Sequence, residues 1–323
     1  MKNGIPKISV MIITYKQEEL IKRALGSLLV QKEFLYEICI SDDCSPDNTW
    51  RVLQEYKLNY PELIKIHRNE INRGIFENIE QVWTMPTGDV VYLMAGDDEC
   101  GGGWFEKTIE FINKNKIDYK KELFCIYGDY KCIYPNGDTY TFKNDSILTG
   151  IDPVRLAIRK FISNRSTIYS INILRKFKKV SQGRSYKAEG AQDRMLQLYT
   201  ETNYYIPHLG NIYYTGIGVN RHLSKADIEE VFDKGVKYNV LVLRDFGYLF
   251  SKKDLFYMQY YIEKNKFIHH KTIKHFLRAF FLYLKSFDMA FKFENFRISI
   301  YCFAILRRLP HRKPILWVIN HNM

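Results

Sequence analysis

The sequence predicts an α/β fold, a mainly parallel mixed sheet flanked by helices, followed by a mostly helical region. Three observations predict it. Four short apolar runs alternate with segments of helical periodicity as far as Glu99, the pattern of strand–helix units wound around a parallel sheet. Beyond Glu99 the alternation gives way to a helix and a hairpin signal. From Lys225 onward the chain reads as helix rich in Phe, Tyr and Lys.

Taken in order, Ile8–Ile13 is apolar but for Ser9 and β-branched at four of six positions, which suits a strand covered on both faces. Glu18–Leu29 places Leu20, Ile21, Ala24, Leu25, Leu28 and Leu29 on one helical stripe. A second strand is expected at Ile38–Ile40. Ser45-Pro46-Asp47 then reads as a helix start, with proline at the first helical position. A strand at Leu63–His67, a helix after Gly74 and a strand at Asp89–Ala95 complete the alternation. Gly101-Gly102-Gly103-Trp104 opens a helix to about Lys116. Phe124–Tyr134 and Thr139–Phe142 flank Pro135-Asn136-Gly137-Asp138, a hairpin signal. A strand at Ser166–Tyr169, a short helix to Lys176, a helix over Gln192–Thr200 and a strand at Tyr204–Ile206 follow. The expected division is a catalytic domain over 1–224 and a helical, basic region over 225–323.

The net charge of +12 calls for an anionic partner, and nucleic acid, phosphorylated small molecules and anionic membrane all qualify. The charge is uneven: residues 225–323 hold 18 Lys+Arg against 9 Asp+Glu. Six cysteines without a Cys-x-x-Cys pair fit a reduced, cytosolic protein with buried thiols. The apolar run near the N-terminus is too short for a secretory signal, and no stretch approaches the ~20 apolar residues of a spanning helix. The expected location is cytoplasmic. The mixture of aromatic and basic residues over 275–313 leaves two readings open, a peripheral seat on an anionic inner membrane face or a helical cap with solvated lysines.

Polar residues fall at the carboxyl ends of three predicted strands: Thr14 and Tyr15, Asp42 and Asp43, Asp97 and Asp98. In a parallel sheet these ends share one edge, where ligands bind. Two acidic pairs on one rim repel unless a cation or a ligand donor lies between them. Mg²⁺ or Mn²⁺ is the natural cation, hard and content to keep positions open for phosphate. Alone, each Asp-Asp pair reads as a turn or a cap.

The runs ISVMIITYKQEELIKRALGSLLVQ, EICISDDCSPDNT and NEINRGIFENIEQVWTMPTGDVVYLMAGDDE, in that order, resemble the inverting glycosyltransferases of family 2. The resemblance implies the GT-A fold and a nucleotide-diphosphate sugar donor, with UDP mildly preferred. It implies a sugar or lipid-linked sugar acceptor, Mg²⁺ or Mn²⁺, and a place in bacterial surface polysaccharide assembly such as capsule or O-antigen. Carried over residue by residue, Thr14 and Tyr15 line the base and Glu18 contacts the nucleoside. Asp42 and Asp43 hold base and ribose, and Arg73 is a basic nucleotide contact. Asp97 and Asp98 match the metal motif, with Asp98 the direct ligand. The chain writes that motif Ala95-Gly96-Asp97-Asp98, so its first acid is missing. Within Ala191-Gln192-Asp193-Arg194 the general base is Asp193, with Gln192 replacing the usual Glu and Glu189 as fallback. Asn220-Arg221-His222 resembles a segment that approaches the diphosphate. Trp104 is open to two readings, an acceptor wall or a core tryptophan.

Three rivals remain. A non-catalytic nucleotide-sugar binder is compatible with Ala95 and Gln192. A nucleic-acid-binding protein fits the charge, but no nucleic-acid motif is present and the charge sits away from the organised motifs. A sugar nucleotidyltransferase needs a glycine-rich loop after the first strand, and Thr14-Tyr15-Lys16-Gln17-Glu18 is not one.

Overall fold

The computed structural model describes residues 4–143, 166–180, 199–214, 240, 243–244, 247–270 and 272–286. The chain divides into two compact units. One comprises Met1–Pro153, Ser163–Lys187 and Met195–Arg221, the other Val154–Ile162, Ala188–Arg194 and His222–Met323.

The first unit begins with the expected alternation: β1 (Ile8–Thr14), α1 (Leu20–Leu29), β2 (Glu37–Asp42), α2 (Thr49–Asn59), β3 (Ile64–Arg68), α3 (Ile75–Val82) and β4 (Val90–Ala95). β1 lies parallel to both β2 and β4, and β2 parallel to β3. β2 is buried at every position and β1 at all but one, which is why their sequences lack an in–out alternation. α1 buries Ile21, Ala24, Leu25 and Leu28, the i, i+3, i+4, i+7 stripe; each large side chain so buried contributes about 1.5–3 kcal/mol.

The remaining described elements of this unit are β5 (Glu99–Cys100), α4 (Trp104–Lys114), β6 (Phe124–Ile133), β7 (Thr139–Phe142), β8 (Thr167–Ser170), α5 (Ile171–Val180) and β9 (Thr202–Tyr214). The sheet order is β3-β2-β1-β4-β8-β6-β9-β5, with β7 on β6. β8 runs antiparallel to β4 and β6, and β9 parallel to β6, so the sheet is mixed.

Three elements differ from expectation. The helix after the second strand starts at Thr49, beyond Pro46. Asp47 Oδ1 accepts from the Thr49 N–H at 3.1 Å and its hydroxyl at 2.6 Å, and Ser45 is held by Asp42, so Pro46 belongs to the turn. β9 runs on through Pro207 and Gly210 to Tyr214. The β6–β9 register shifts between Tyr127 and Tyr130, a bulge that accommodates residues which would break a regular strand. β5, unanticipated, pairs Glu99 with Ile212 and Cys100 with Asn211.

Trp104 is 0% exposed, so it is a core residue and presents no wall to an acceptor. A Cβ on Gly128 would lie 2.6 Å from its ring, and one on Gly210 3.0 Å, so two glycines form the slot for the indole. Cys39, Cys44, Cys100 and Cys125 carry free thiols. Burial pushes the Cys39 and Cys125 thiols up to about 12, which leaves them inert.

The second unit contains α6 (Lys252–His270) and α7 (Ile273–Lys285). The Tyr283 ring packs 5.6 Å from Tyr260 at a tilt of 51°, and the Phe276 ring 5.4 Å from Phe267 at 57°. Among the described residues no helix is long and apolar enough to cross a membrane.

Candidate active site

β1, β2 and β4 end at one edge of the sheet. Register places Thr14 beside Asp42 and Ile13 beside Ala95, so three loops emerge together. The first two are cross-tied: Asp43 N donates to Thr14 O at 3.0 Å, Lys16 N to Ser45 Oγ at 3.0 Å and Gln17 N to Thr49 Oγ1 at 2.9 Å. Lys16 (φ 55°) and Cys44 (φ 58°) are left-handed, a conformation that costs about 1–3 kcal/mol and persists only where surrounding bonds over-determine it. Tyr15 is half-buried beneath the Lys16 ammonium, 5.3 Å from its ring centroid. Glu18 accepts from the Asn48 amide at 3.1 and 3.2 Å.

Asp42, the last residue of β2, and Asp43, the first beyond it, take different partners. Asp42 is fully buried, accepting from the Ser45 N–H at 3.1 Å and from the Ser45 hydroxyl, with Arg68 Nε at 3.4 Å. Burial raises its pKa, against the pull of Ser45 and Arg68. Asp43 accepts from Asn69 Nδ2 (2.8 Å) and Arg73 N (2.9 Å) on one oxygen and from Gly74 N (2.8 Å) on the other. Each carboxylate thus has its own donors and keeps room for about one more. Arg73 meets Asp43 through its backbone N–H, and its side chain is exposed. Gly74 (φ 86°) is the N-cap of α3, a conformation that favours glycine.

The third loop turns at Gly96-Asp97, with Asp98 N returning to Ala95 O at 3.2 Å. A Cβ on Gly96 would lie 2.4 Å from Gln17 Oε1 and 3.0 Å from Thr14 Oγ1. Those two side chains hydrogen-bond at 2.8 Å across the bare glycine. Burial raises the pKa of half-buried Asp97, opposed by its own backbone, Arg23 and Gln17. Asp98, 4% exposed, accepts from Asn211 Nδ2 at 3.3 Å.

Beneath this turn lies Arg23 of α1, which the sequence reading passed over. Its Nη2 donates to Asp97 O at 2.8 Å and its Nε pairs with Glu99 Oε1 at 2.9 Å. Its guanidinium stacks 3.7 Å from the Tyr214 ring centroid, and the Tyr214 hydroxyl donates to Glu99 at 2.7 Å. Gln17 and Asn69 were also missed. Both are polar residues of loops at strand ends, a signal present in the sequence; Arg23 carries none, since an arginine one residue off an apolar stripe reads as solvated.

Thr14, Tyr15, Glu18, Asp42, Asp43, Asp97 and Asp98 therefore share one edge, joined by the backbone of Arg73. Asp193, Gln192, Glu189 and Asn220-Arg221-His222 lie outside the described residues. No group of three or more His, Cys, Asp or Glu suited to a metal occurs among the described residues. Adjacent carboxylates at a strand end fit Mg²⁺ or Mn²⁺, which takes one or two protein oxygens and completes its shell with phosphate and water.

Residues 9–131 match the family model for glycosyl transferase family 2. The chain carries a glycosyltransferase family 2 domain. That domain spans all three loops of the edge. Among curated relatives, EpsE of Bacillus subtilis, provisionally named a glycosyltransferase, is 29% identical over 114 residues, 35% of this chain and 41% of that one. WcaA of Escherichia coli, provisionally named a colanic acid biosynthesis glycosyl transferase, is 32% identical over 143 residues, 44% of this chain and 47% of that one. This chain spans under half the length of these curated relatives. The crystal structure of S. aureus TarS 1–349 in complex with UDP-GlcNAc superposes with a TM-score of 0.62 at 14% identity, covering 95% of this chain and 93% of that one. Likeness at that identity speaks to fold, and with the family 2 domain it makes the first unit a GT-A-type α/β domain.

Proposed function

We propose that this protein is an inverting glycosyltransferase that moves a sugar from a nucleotide-diphosphate donor to an acceptor hydroxyl in surface polysaccharide assembly. The observation that carries the reading is the meeting of the β1, β2 and β4 loops, with their acids, at one edge inside a family 2 domain. The naming of WcaA for colanic acid biosynthesis supports the polysaccharide context. The TarS complex with UDP-GlcNAc supports a UDP-sugar as the first donor to try.

In this reading Thr14 and Tyr15 flank the base, and Glu18 contacts the nucleoside. Asp43 offers its remaining acceptor capacity to base or ribose, while enclosed Asp42 holds the Ser45 turn against which they rest. Arg73 projects a cation toward the nucleotide, and Asp97 borders the donor. Asp98 would hold Mg²⁺ or Mn²⁺, which supplies Lewis-acid stabilisation of the charge on the departing diphosphate. Asp193 takes the acceptor's proton as its oxygen attacks the anomeric carbon. Attack from the face opposite the leaving group inverts the configuration, and no protein nucleophile is needed, unlike the retaining glycosidases. A carboxylate is a weak base, so positioning carries much of the acceleration. The site then belongs in the cytoplasm, where nucleotide-sugars are supplied.

The test is nucleotide-diphosphate release from a panel of nucleotide-sugars with Mn²⁺, with and without EDTA. Slow metal-dependent hydrolysis of one donor, lost in Asp98→Ala, supports the assignment and names the sugar; Asp193→Asn then abolishes transfer once an acceptor is supplied. A donor that raises the melting temperature and is never turned over with any acceptor points to a non-catalytic binder. Neither binding nor release with any donor removes the proposal.

A further inference from the structure

α7 is amphipathic in an unusual arrangement: it buries one face in its own hairpin and leaves a second apolar face bare. Ala279 and Tyr283 are buried. On the other side Ile273 (69%), Leu277 (47%), Phe281 (59%) and Leu284 (53%) are exposed. At helical spacing these four fall within an arc of about 80°, and Lys274, Arg278 and Lys285 occupy the next ~40°. All three cations are exposed, and the helix contains no Asp or Glu. Scattered exposed leucines need no explanation, whereas a contiguous apolar row edged by cations marks a contact surface.

The two acids of α6 are each engaged by partners within the hairpin. Asp254 is 4% exposed and hydrogen-bonded by Ser251. Glu263 is bound by His275 at 2.7 Å and Lys266 at 3.4 Å. Burial works against the Glu263 anion, and its two partners outweigh it and hold its pKa below the usual range. Arg278 and Lys285 line a groove with Phe281, Ile262 and Glu263, the last engaged by His275 and Lys266, so cationic groups and an apolar rim meet in one place.

We infer that α7 docks in the plane of an anionic lipid bilayer. The apolar row enters the headgroup–acyl boundary, and Lys274, Arg278 and Lys285 pair with lipid phosphates along one edge. At about 1.5 Å per residue the thirteen-residue helix is about 20 Å long, too short to cross the ~30 Å hydrocarbon layer, so it lies flat. Three of the four residues in the row are aliphatic and offer no face for stacking on bases, which disfavours nucleic acid. The surface is built in advance, because the opposite face of α7 is already packed on α6. The inference is independent of the glycosyltransferase reading, since docking needs no nucleotide-sugar.

The test is sedimentation of the full chain with phosphatidylcholine vesicles and with vesicles containing phosphatidylglycerol, at low and high salt. Binding to the anionic vesicles alone, weakened by salt, is expected. Each cation contributes about fivefold in partitioning, so Lys274→Gln with Arg278→Gln lowers binding about 25-fold. Leu277→Asp with Phe281→Asp abolishes it, and the exposure of these positions leaves the thermal melt unchanged. Absent binding, equal binding to neutral vesicles, or retention in the Leu277→Asp/Phe281→Asp variant overturns the inference. So does self-association in solution that the same double variant abolishes, which assigns the face to a second copy of the chain.

Discussion

Replacing Arg23 by alanine tests whether the acidic turn is positioned from below. The Glu99 ion pair is 2.9 Å long, with side chains 31% and 21% exposed, and such a part-screened pair contributes about 1 kcal/mol. The charged hydrogen bond to Asp97 O adds about 1.5 kcal/mol, and the stack on Tyr214 about 0.5–1 kcal/mol. Shared loosening makes these less than additive, so a loss of about 2–3 kcal/mol is expected. For a unit of this size that lowers the melting temperature by about 4–12 °C. Chemistry responds separately: with the Asp97 carbonyl released, Asp98 is displaced, and a misplacement near 1 Å costs about 100-fold. The expected Arg23→Ala signature is kcat down at least tenfold and a raised Mn²⁺ requirement, with metal-free UDP binding unchanged. Arg23→Lys keeps one of the two polar contacts and not the fork, so it recovers part of the melting temperature and less of kcat. A lowered melting temperature with wild-type release at every Mn²⁺ concentration refutes the positioning argument and leaves Arg23 a structural clamp.

Two further outcomes follow from buried carboxylates. Glu37 is 1% exposed at the opposite end of β2, accepting from Ser9 Oγ at 2.7 Å and bonded by Thr87 and Lys65. Burial opposes its charge, and these partners prevail and lower its pKa. A depressed carboxylate contributes stability that is full above its unfolded value of about 4.3 and is lost as pH falls through the folded one. Glu37→Gln should therefore cost about 2 kcal/mol at neutral pH, and denaturant melts should show the gap to the parent closing below about pH 4; a constant gap down to pH 3 contradicts the assignment. Asp43→Ala strands the amides of Arg73 and Gly74, so hydrogen exchange at both should accelerate while that of β1 is unchanged; protected amides there mean that something other than Asp43 holds the 69–74 loop.

Much of this molecule was legible because its signals are local. The apolar runs of β1 and β2, the α1 stripe and the Pro135–Asp138 turn each specify their own element, since burial on two faces, helical periodicity and turn chemistry act within a few residues. The family resemblance pointed to the strand-end acids for the same reason: motif spacing along a chain survives as spacing along a sheet edge. Trp104 could not be decided this way, because the indole slot is made by the absence of side chains at Gly128 and Gly210, far away in sequence.

What only the tertiary structure decided is how the acids are held. Asp42 and Asp43 look equivalent in sequence, yet Asp42, which ends β2, binds the Ser45 turn and Asp43, one residue beyond, binds the 69–74 loop. Asp98 meets Asn211, and Glu99 meets Tyr214, only because a two-residue strand pairs with the far end of β9 through a bulge at Pro207. Arg23 acquires its role from that same pairing. A hydrogen bond between groups so distant along the chain depends on sheet order and register, which no local pattern encodes. The bare face of α7 has the same origin: the sequence makes the helix apolar nearly all round, and packing on α6 chooses which side is left uncovered.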